Sequence, residues 1–251
     1  MTMRIAIAGK GGTGKTTLAA FLIRYLQEKY PDKAILAVDA DANANLNETL
    51  GVVVEQTMSA VLEATKKPGA VPTGMTKNVF VEYQLSRSLV ETKHFDLLVM
   101  GNPEGPGCYC YPNDLLRRYL EQLSVNYDYM LMDNEAGLEH LSRRVFPQAE
   151  MLLITSDATA RGIRSAGRVR EIATNVKLNV ERMGLVISRS QPGEVERLEE
   201  EIARTGLKVW GEIPYDSAIM DYDLEGKPLL ELPAGSAAVQ ASTGLFRSLE
   251  L

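Results

Sequence analysis

Gly9-Lys10-Gly11-Gly12-Thr13-Gly14-Lys15-Thr16 is the stretch on which the reading of this chain turns. The apolar run Met3–Ala8 precedes it and a segment of helical length, Thr16–Lys29, follows it. That order, strand then glycine-rich loop then helix, is the context in which the pattern G-x-x-x-x-G-K-[ST] becomes a phosphate loop rather than a flexible turn. Glycines let backbone N–H groups wrap phosphate oxygens, and the helix N-terminus adds partial positive charge. Lys15 is placed to reach the β- and γ-phosphates of a nucleotide, and the Thr16 hydroxyl to ligate Mg2+. Gly9, Gly11, Gly12, Thr13, Gly14 and the neighbouring Thr17 complete the expected nucleotide-binding set.

Outward from the loop, short apolar runs alternate with helix-length segments. Strands are expected at Met3–Ala8, Ala34–Asp39, Asp96–Gly101, Tyr129–Asp133, Met151–Thr155, Met183–Ser188 and Val209–Ile213. Most are continuous Val, Ile, Leu and Met runs, as in strands buried on both faces. Helices are expected at Thr16–Lys29, Asn113–Leu123, Ala160–Asn175, Glu194–Thr205 and Ser236–Leu249, with Gly51–Val81 left as helix plus loop. This alternation predicts an α/β fold with a mostly parallel central sheet flanked by helices, built as one domain over residues 1–251. In such sheets ligands bind beyond the carboxyl ends of the strands, where the motifs of this chain fall.

Composition narrows the function classes. Hydrophobic residues make up 45% and charged residues 24% of 251, ordinary for a soluble globular chain. A net charge of −6 argues against a broad nucleic-acid footprint, so no nucleic-acid partner is expected. No uncharged apolar run nears the roughly 18 residues a membrane span needs. No membrane partner is expected, and the start, Met1-Thr2-Met3-Arg4, lacks a signal layout, so the expected location is cytoplasmic.

Two further segments carry carboxylates at strand ends. Asp39-Ala40-Asp41-Ala42-Asn43-Ala44-Asn45-Leu46 follows the second expected strand, and a carboxylate there can orient an attacking water or hold the magnesium hydration shell. Asn43 and Asn45 also suit an Asx-rich turn. Asp133-Asn134-Glu135-Ala136-Gly137 follows the apolar strand Tyr129–Met132.

The cysteines are Cys108 and Cys110, in Gly105-Pro106-Gly107-Cys108-Tyr109-Cys110-Tyr111-Pro112. In extended backbone the two point to the same side. A disulfide two residues apart is strained, and two thiolates rarely complete a soft-metal site. A twofold dimer would bring four, enough for a tetrahedral or square-planar sulfur site.

These segments together carry a resemblance. Lys10 is similar to the signature lysine of the deviant Walker A ATPases, a P-loop NTPase group that includes the nitrogenase iron protein, MinD and ParA. The resemblance implies a homodimer sandwiching two nucleotides, with Lys10 reaching the partner's phosphates. It implies that Asp41 is the catalytic carboxylate of a first switch, that Asp39 supports the magnesium shell, and that Asp133 and Gly137 belong to a second switch. Ser188-Arg189 stands where many ATP-using relatives have Asn-Arg, so Ser188 offers no amide to adenine. Ile213-Pro214-Tyr215-Asp216 with Gly226-Lys227-Pro228 resembles a loop packed around adenine; Arg189 and Pro214 join the binding set. With Gly-Pro-Gly-Cys-Tyr-Cys and Asp133-Asn134-Glu135-Ala136-Gly137-Leu138-Glu139-His140-Leu141, the chain resembles the CooC family of nickel-inserting maturation ATPases. That family implies ATP, Mg2+ and Ni2+, the last carried by Cys108 and Cys110, with carbon monoxide dehydrogenase or acetyl-CoA synthase as client. Zn2+ competes well for four thiolates. Two other readings stay open: an iron–sulfur scaffold or electron carrier of the nitrogenase iron protein type, and a MinD/ParA-like positioning ATPase.

Overall fold

The computed structural model describes residues 2–67, 69–102, 110–135 and 148–251, with backbone alone at 66, 78 and 110–116. Strand β1 (Met3–Gly9) is wholly apolar apart from Arg4, and its inner residues are fully buried. It lies between β5 (Tyr129–Asp133) and β6 (Gln148–Asp157), parallel to both. β2 (Ile35–Asp39) and β4 (Asp96–Val99) continue the sheet past β5, and β7 (Asn179–Ser190) and β8 (Val209–Pro214) continue it past β6. Among the described residues the order is β3-β4-β2-β5-β1-β6-β7-β8, and only β3 (Leu89–Glu91) runs antiparallel.

Alternation along β1 divides the core. Ile5 and Ile7 face one layer with Leu22, Leu26 and Phe246, from helices α1 (Lys15–Lys29) and, on the last, the C-terminal helix Ala237–Ser248. Ala6 and Ala8 face the other, with Met58, Leu85, Leu120 and Ile163. Those four come from α3 (Met58–Lys66), α4 (Lys77–Ser86), α5 (Cys110–Ser124) and α6 (Ala160–Asn175), α2 being the single turn Leu46–Leu50. Among the described residues the further α-helices are α7 (Glu199–Thr205), α8 (Ser217–Leu224) and the C-terminal α9 (Ala237–Ser248). Side-chain caps start several of them: Thr57 on Ala60, Thr76 on Val79, Thr159 on Gly162, Asp216 on Ala218 and Ser236 on Val239.

The expected mostly parallel sheet is present, with corrections at its margins. The edge strand β3 and the helix α8 were not expected. The segment Glu194–Thr205 is not one helix but a 3-10 turn, Glu196–Leu198, followed by α7. Glu199, Glu200 and Glu201 fill the first turn of α7, where the helix dipole favours negative charge, so the regular helix starts there. The strand expected to reach Gly101 stops at Val99; Gly101 has φ +69°, outside any strand. Gly51–Val81 resolves into α3 and the start of α4. Among the described residues no helix is long and apolar enough to cross a membrane.

Gly184 on β7 exists to admit the indole of Trp210 on β8: a Cβ there would lie 2.1 Å from the ring. Gly184→Ala is therefore expected to destabilise the fold by about 1–3 kcal/mol through overpacking. Gly235→Ala, where a Cβ meets nothing within 4 Å, is expected to stay within about 0.5 kcal/mol of the parent. Urea unfolding of both variants checks the contrast.

Candidate functional site: the phosphate loop and its carboxylates

Parallel register lines up the carboxyl ends of five strands. Asp39 on β2 pairs with Asp133 on β5, Ile7 on β1 pairs with Asp133, Gly9 pairs with Thr155 on β6, and Asp157 pairs with Ser188 on β7. Residues 31 to 146 positions apart in sequence thus share one edge with the phosphate loop.

The loop leaves β1 at Gly9 and closes on α1. Gly12 and Gly14 take φ +74° and +82°, conformations that cost residues with a Cβ. No side chain caps α1, in contrast to the helices above, so its first N–H groups remain available to an anion. The loop carbonyls, in turn, are occupied on the outside. Thr13 Oγ1 and Lys15 Nζ donate to Lys10 O at 2.7 and 3.4 Å. Arg189 Nη2 donates to Gly12 O at 2.6 Å, and Ser188 Oγ to Thr13 O at 2.6 Å. Thr13 Oγ1 also meets Thr155 Oγ1 at 2.7 Å. Lys15 is buried, and burial holds its ammonium below the usual lysine range, opposed by the charges of Asp133, Asp41 and Glu135. Lys10 is exposed at the loop's rim.

The three carboxylates are in different states. Asp133 is 1% exposed, and its Oδ2 accepts from Thr16 Oγ1 at 2.7 Å. Its Oδ1 is buried with no protein partner. A hydroxyl, a buried carboxylate and an unsatisfied oxygen side by side fit a hydrated divalent cation such as Mg2+, which takes hard oxygen ligands. Burial pushes the Asp133 carboxyl up from 3.8 to about 7, with the Thr16 hydrogen bond pulling down and Asp39 adding to the rise. Asp39 is fully buried and burial raises it to about 6. Both its oxygens accept amide protons at 3.0 Å, Oδ1 from Asp41 and Oδ2 from Leu46. Asp39 therefore shapes the loop that follows it. Asp41 Oδ1 accepts from the Asn43 amide and side chain at 2.8 and 3.1 Å, an Asx turn, with Ala44 at φ +51°.

The loop opens into a cleft of about 970 Å³ lined on one side by Gly11, Gly12, Gly14 to Thr17 and Asp41, and on the other by Ile213, Pro214, Tyr215 and α8. Thr17, Arg189 and Pro214 line it, as does Ser188, whose hydroxyl is spent on the loop. Val53 and Met220, unnoticed in the sequence, add apolar wall. Thr155 also escaped notice, because a threonine at a strand end carries no motif; only the pairing with Gly9 reveals it. Cys108 and Gly137 lie outside the described residues, and Cys110 is placed only as the first residue of α5.

A raised carboxyl pKa means that the folded chain keeps protons the unfolded chain releases between about pH 4 and 7, so stability falls as pH rises through that window. The nucleotide- and magnesium-free protein is expected to melt lower at about pH 8 than at about pH 5 on account of Asp39 and Asp133. Asp133→Asn removes the charge: expected are a melting temperature higher than the parent's by at least about 3 °C at about pH 8, a gap that closes toward about pH 5, and a hydrolysis rate lower by at least about 100-fold. Calorimetry across pH and phosphate release check the two halves.

Residues 5–229 match the family model described as the CobQ/CobB/MinD/ParA nucleotide binding domain. An uncharacterized ATP-binding protein of Methanocaldococcus jannaschii is 41% identical over 234 residues, 92% of each chain. The carbon monoxide dehydrogenase accessory protein CooC of Rhodospirillum rubrum is 30% identical over 244 residues, 92% of this chain and 90% of the relative. The solved septum site-determining protein MinD of Pyrococcus horikoshii OT3, complexed with Mg-ADP, superimposes with a TM-score of 0.73 at 25% identity, covering 100% of this chain and 96% of that one. The strand–loop–helix around Lys15, the carboxylates at the ends of β2 and β5, and this match across most of the length show that the chain belongs to the CobQ/CobB/MinD/ParA family of nucleotide-binding domains and is an ATPase of that family.

Proposed function

We propose that this ATPase is a metal-delivery protein: a homodimer that carries a soft divalent cation, Ni2+ or Zn2+, on Cys108 and Cys110 of each chain and couples its release to ATP hydrolysis. The client would be an enzyme of the carbon monoxide dehydrogenase or acetyl-CoA synthase kind, in line with the similarity to CooC.

The observation that carries the reading is a backbone ladder across the carboxyl edge. Asn134 N donates to Ile7 O at 3.1 Å, Ala40 N to Asp133 O at 3.0 Å, and Met100 N to Asp39 O at 2.8 Å. It runs from β1, beside the phosphate loop, through both carboxylate strands to the exit of β4. In the sequence, Cys108 follows that exit, and Cys110 is the first residue of α5. A shift of the switch segments on phosphate loss has a direct mechanical route to the thiolate segment. In this reading Lys15 and the loop amides bind the phosphates, Thr16 and Asp133 hold magnesium, Asp41 orients water, and Lys10 supplies charge to the partner's site.

A second reading, a positioning ATPase, draws on the likeness to MinD. ATP-dependent pelleting with anionic vesicles or retention on DNA would favour this reading over delivery.

The parent as purified anaerobically is expected to be colourless, and titration to show one Ni2+ per two chains; Cys108→Ala/Cys110→Ala should bind none while still hydrolysing ATP. Equal nickel stoichiometry in the variant would sink the metal claim, and a brown protein absorbing near 400 nm would point to an iron–sulfur cluster. Lys10→Ala is expected to keep nucleotide affinity within about threefold and lose about 10²–10³ in rate, as for a cation supplied in trans; phosphate release and a fluorescent-nucleotide titration measure the split.

A further inference from the structure

Successive residues of a regular strand face opposite sides of its sheet, so a strand end ordinarily offers one side chain to a given neighbour. The end of β7 offers two. Ser188 Oγ bonds Thr13 O, and the next residue, Arg189, bonds Gly12 O, both at 2.6 Å and both in the phosphate loop. An irregularity makes this possible. Ser188 pairs with Ile213 and Ser190 with Pro214, leaving Arg189 unpaired between them as a bulge, with φ +57°. Left-handed backbone is unfavourable for an arginine and persists where surrounding bonds over-determine it. Bulges of this kind re-aim a side chain next to a site.

The same bulge reaches the far wall of the cleft. Ser190 O accepts from Tyr215 N at 3.0 Å, and Tyr215 with Pro214 lines the side opposite the loop. Three consecutive residues therefore hold both sides of the pocket. Within the loop, a planar peptide ties each carbonyl to the following N–H, which points the opposite way. Pinning Thr13 O against the sheet turns the Gly14 N–H toward the pocket. Ser188 is 7% exposed and Gly14 is tight against it: a Cβ on Gly14 would lie 3.3 Å from Ser188 Oγ.

We propose that Ser188-Arg189-Ser190 is a positioning element for the nucleotide phosphates. Ser188 fixes the Thr13 carbonyl outward so that the Gly14 amide is set before the ligand arrives, and Arg189 braces the turn beside it by holding Gly12 O, the following amide, Thr13 N, being spent on Lys10 O at 3.3 Å. Ser190 fixes the width of the cleft. Neither Ser188 nor Arg189 needs to touch the nucleotide. Because the loop grips the phosphates alike in ground and transition states, its loosening acts on binding and spares the chemical step.

The test is mant-ADP titration with Mg2+ beside steady-state ATP hydrolysis. Ser188→Ala leaves a buried carbonyl without its donor, and Kd is expected to rise about five- to thirtyfold. Arg189→Gly keeps the bulge, since glycine accepts the positive φ, and removes only the guanidinium; a rise of about three- to tenfold is expected. In both, KM should follow Kd while kcat stays within about twofold of the parent. The melting temperature of nucleotide-free Arg189→Gly should stay within about 2 °C of the parent's, since the exposed side chain contributes little to the fold. Binding within about twofold of the parent in both variants, or a fall in kcat at unchanged KM, would overturn the proposal. If Ser188→Ala does not fold, Arg189→Gly decides alone by the same criteria.

Discussion

The site depends on how closely β1 and β6 approach at their carboxyl ends. Gly9 pairs with Thr155, and a Cβ on Gly9 would fall 2.3 Å from Thr155 Oγ1 and 2.6 Å from its carbonyl oxygen. Only a residue without a side chain admits that contact. Thr155 uses the space: its hydroxyl lies 3.3 Å from Ala8 O and 2.7 Å from Thr13 Oγ1, joining the strand before the loop to the loop itself. The loop is thus gripped from β6 and β7 at once, and α1 can start with its amides bare because the loop holds its direction.

That grip explains why polar groups at this edge are buried where elsewhere they would be exposed. Asp39, Asp133, Thr155, Ser156 and Ser188 are all buried at strand ends. Each hydroxyl there has a carbonyl or hydroxyl partner, and Asp39 has two amides. The exception is Asp133 Oδ1. A buried unpaired carboxylate oxygen is costly in a protein interior and is tolerated where a ligand will satisfy it. The cost and the affinity for a cation are the same free energy seen from two sides.

Much of this was legible in the sequence, for identifiable reasons. The central strands announce themselves because both their faces are buried, so Ile35–Asp39 and Tyr129–Asp133 read as apolar runs ending in a carboxylate. The loop is legible because its glycines are needed at fixed spacing. What stayed hidden depends on strand order. Nothing in the chain says that β2 lies beside β5 and β5 beside β1, so the adjacency of Asp39 and Asp133 emerges only in the fold. Ser188 and Thr155 escaped because hydroxyls acting on backbone carry no spacing rule. α8 escaped because Met220 and Leu224 turn outward, 56% and 80% exposed, which blurs the inward stripe of Ala218, Ile219 and Tyr222. β3 is simply too short to show alternation.

That short strand has its own consequence. An open sheet presents bare amides and carbonyls along its rim, a template on which another chain can zip. Here the rim at one side is only Leu89–Glu91, reversed in direction against β4 and ending in a glutamate. Three residues give an incoming strand too few bonds to offset its ordering entropy. The reversal also denies it the parallel register on which the inner sheet is built. On that side the molecule offers its surroundings almost nothing to stack upon, and its longer rim is the opposite one, β8 (Val209–Pro214).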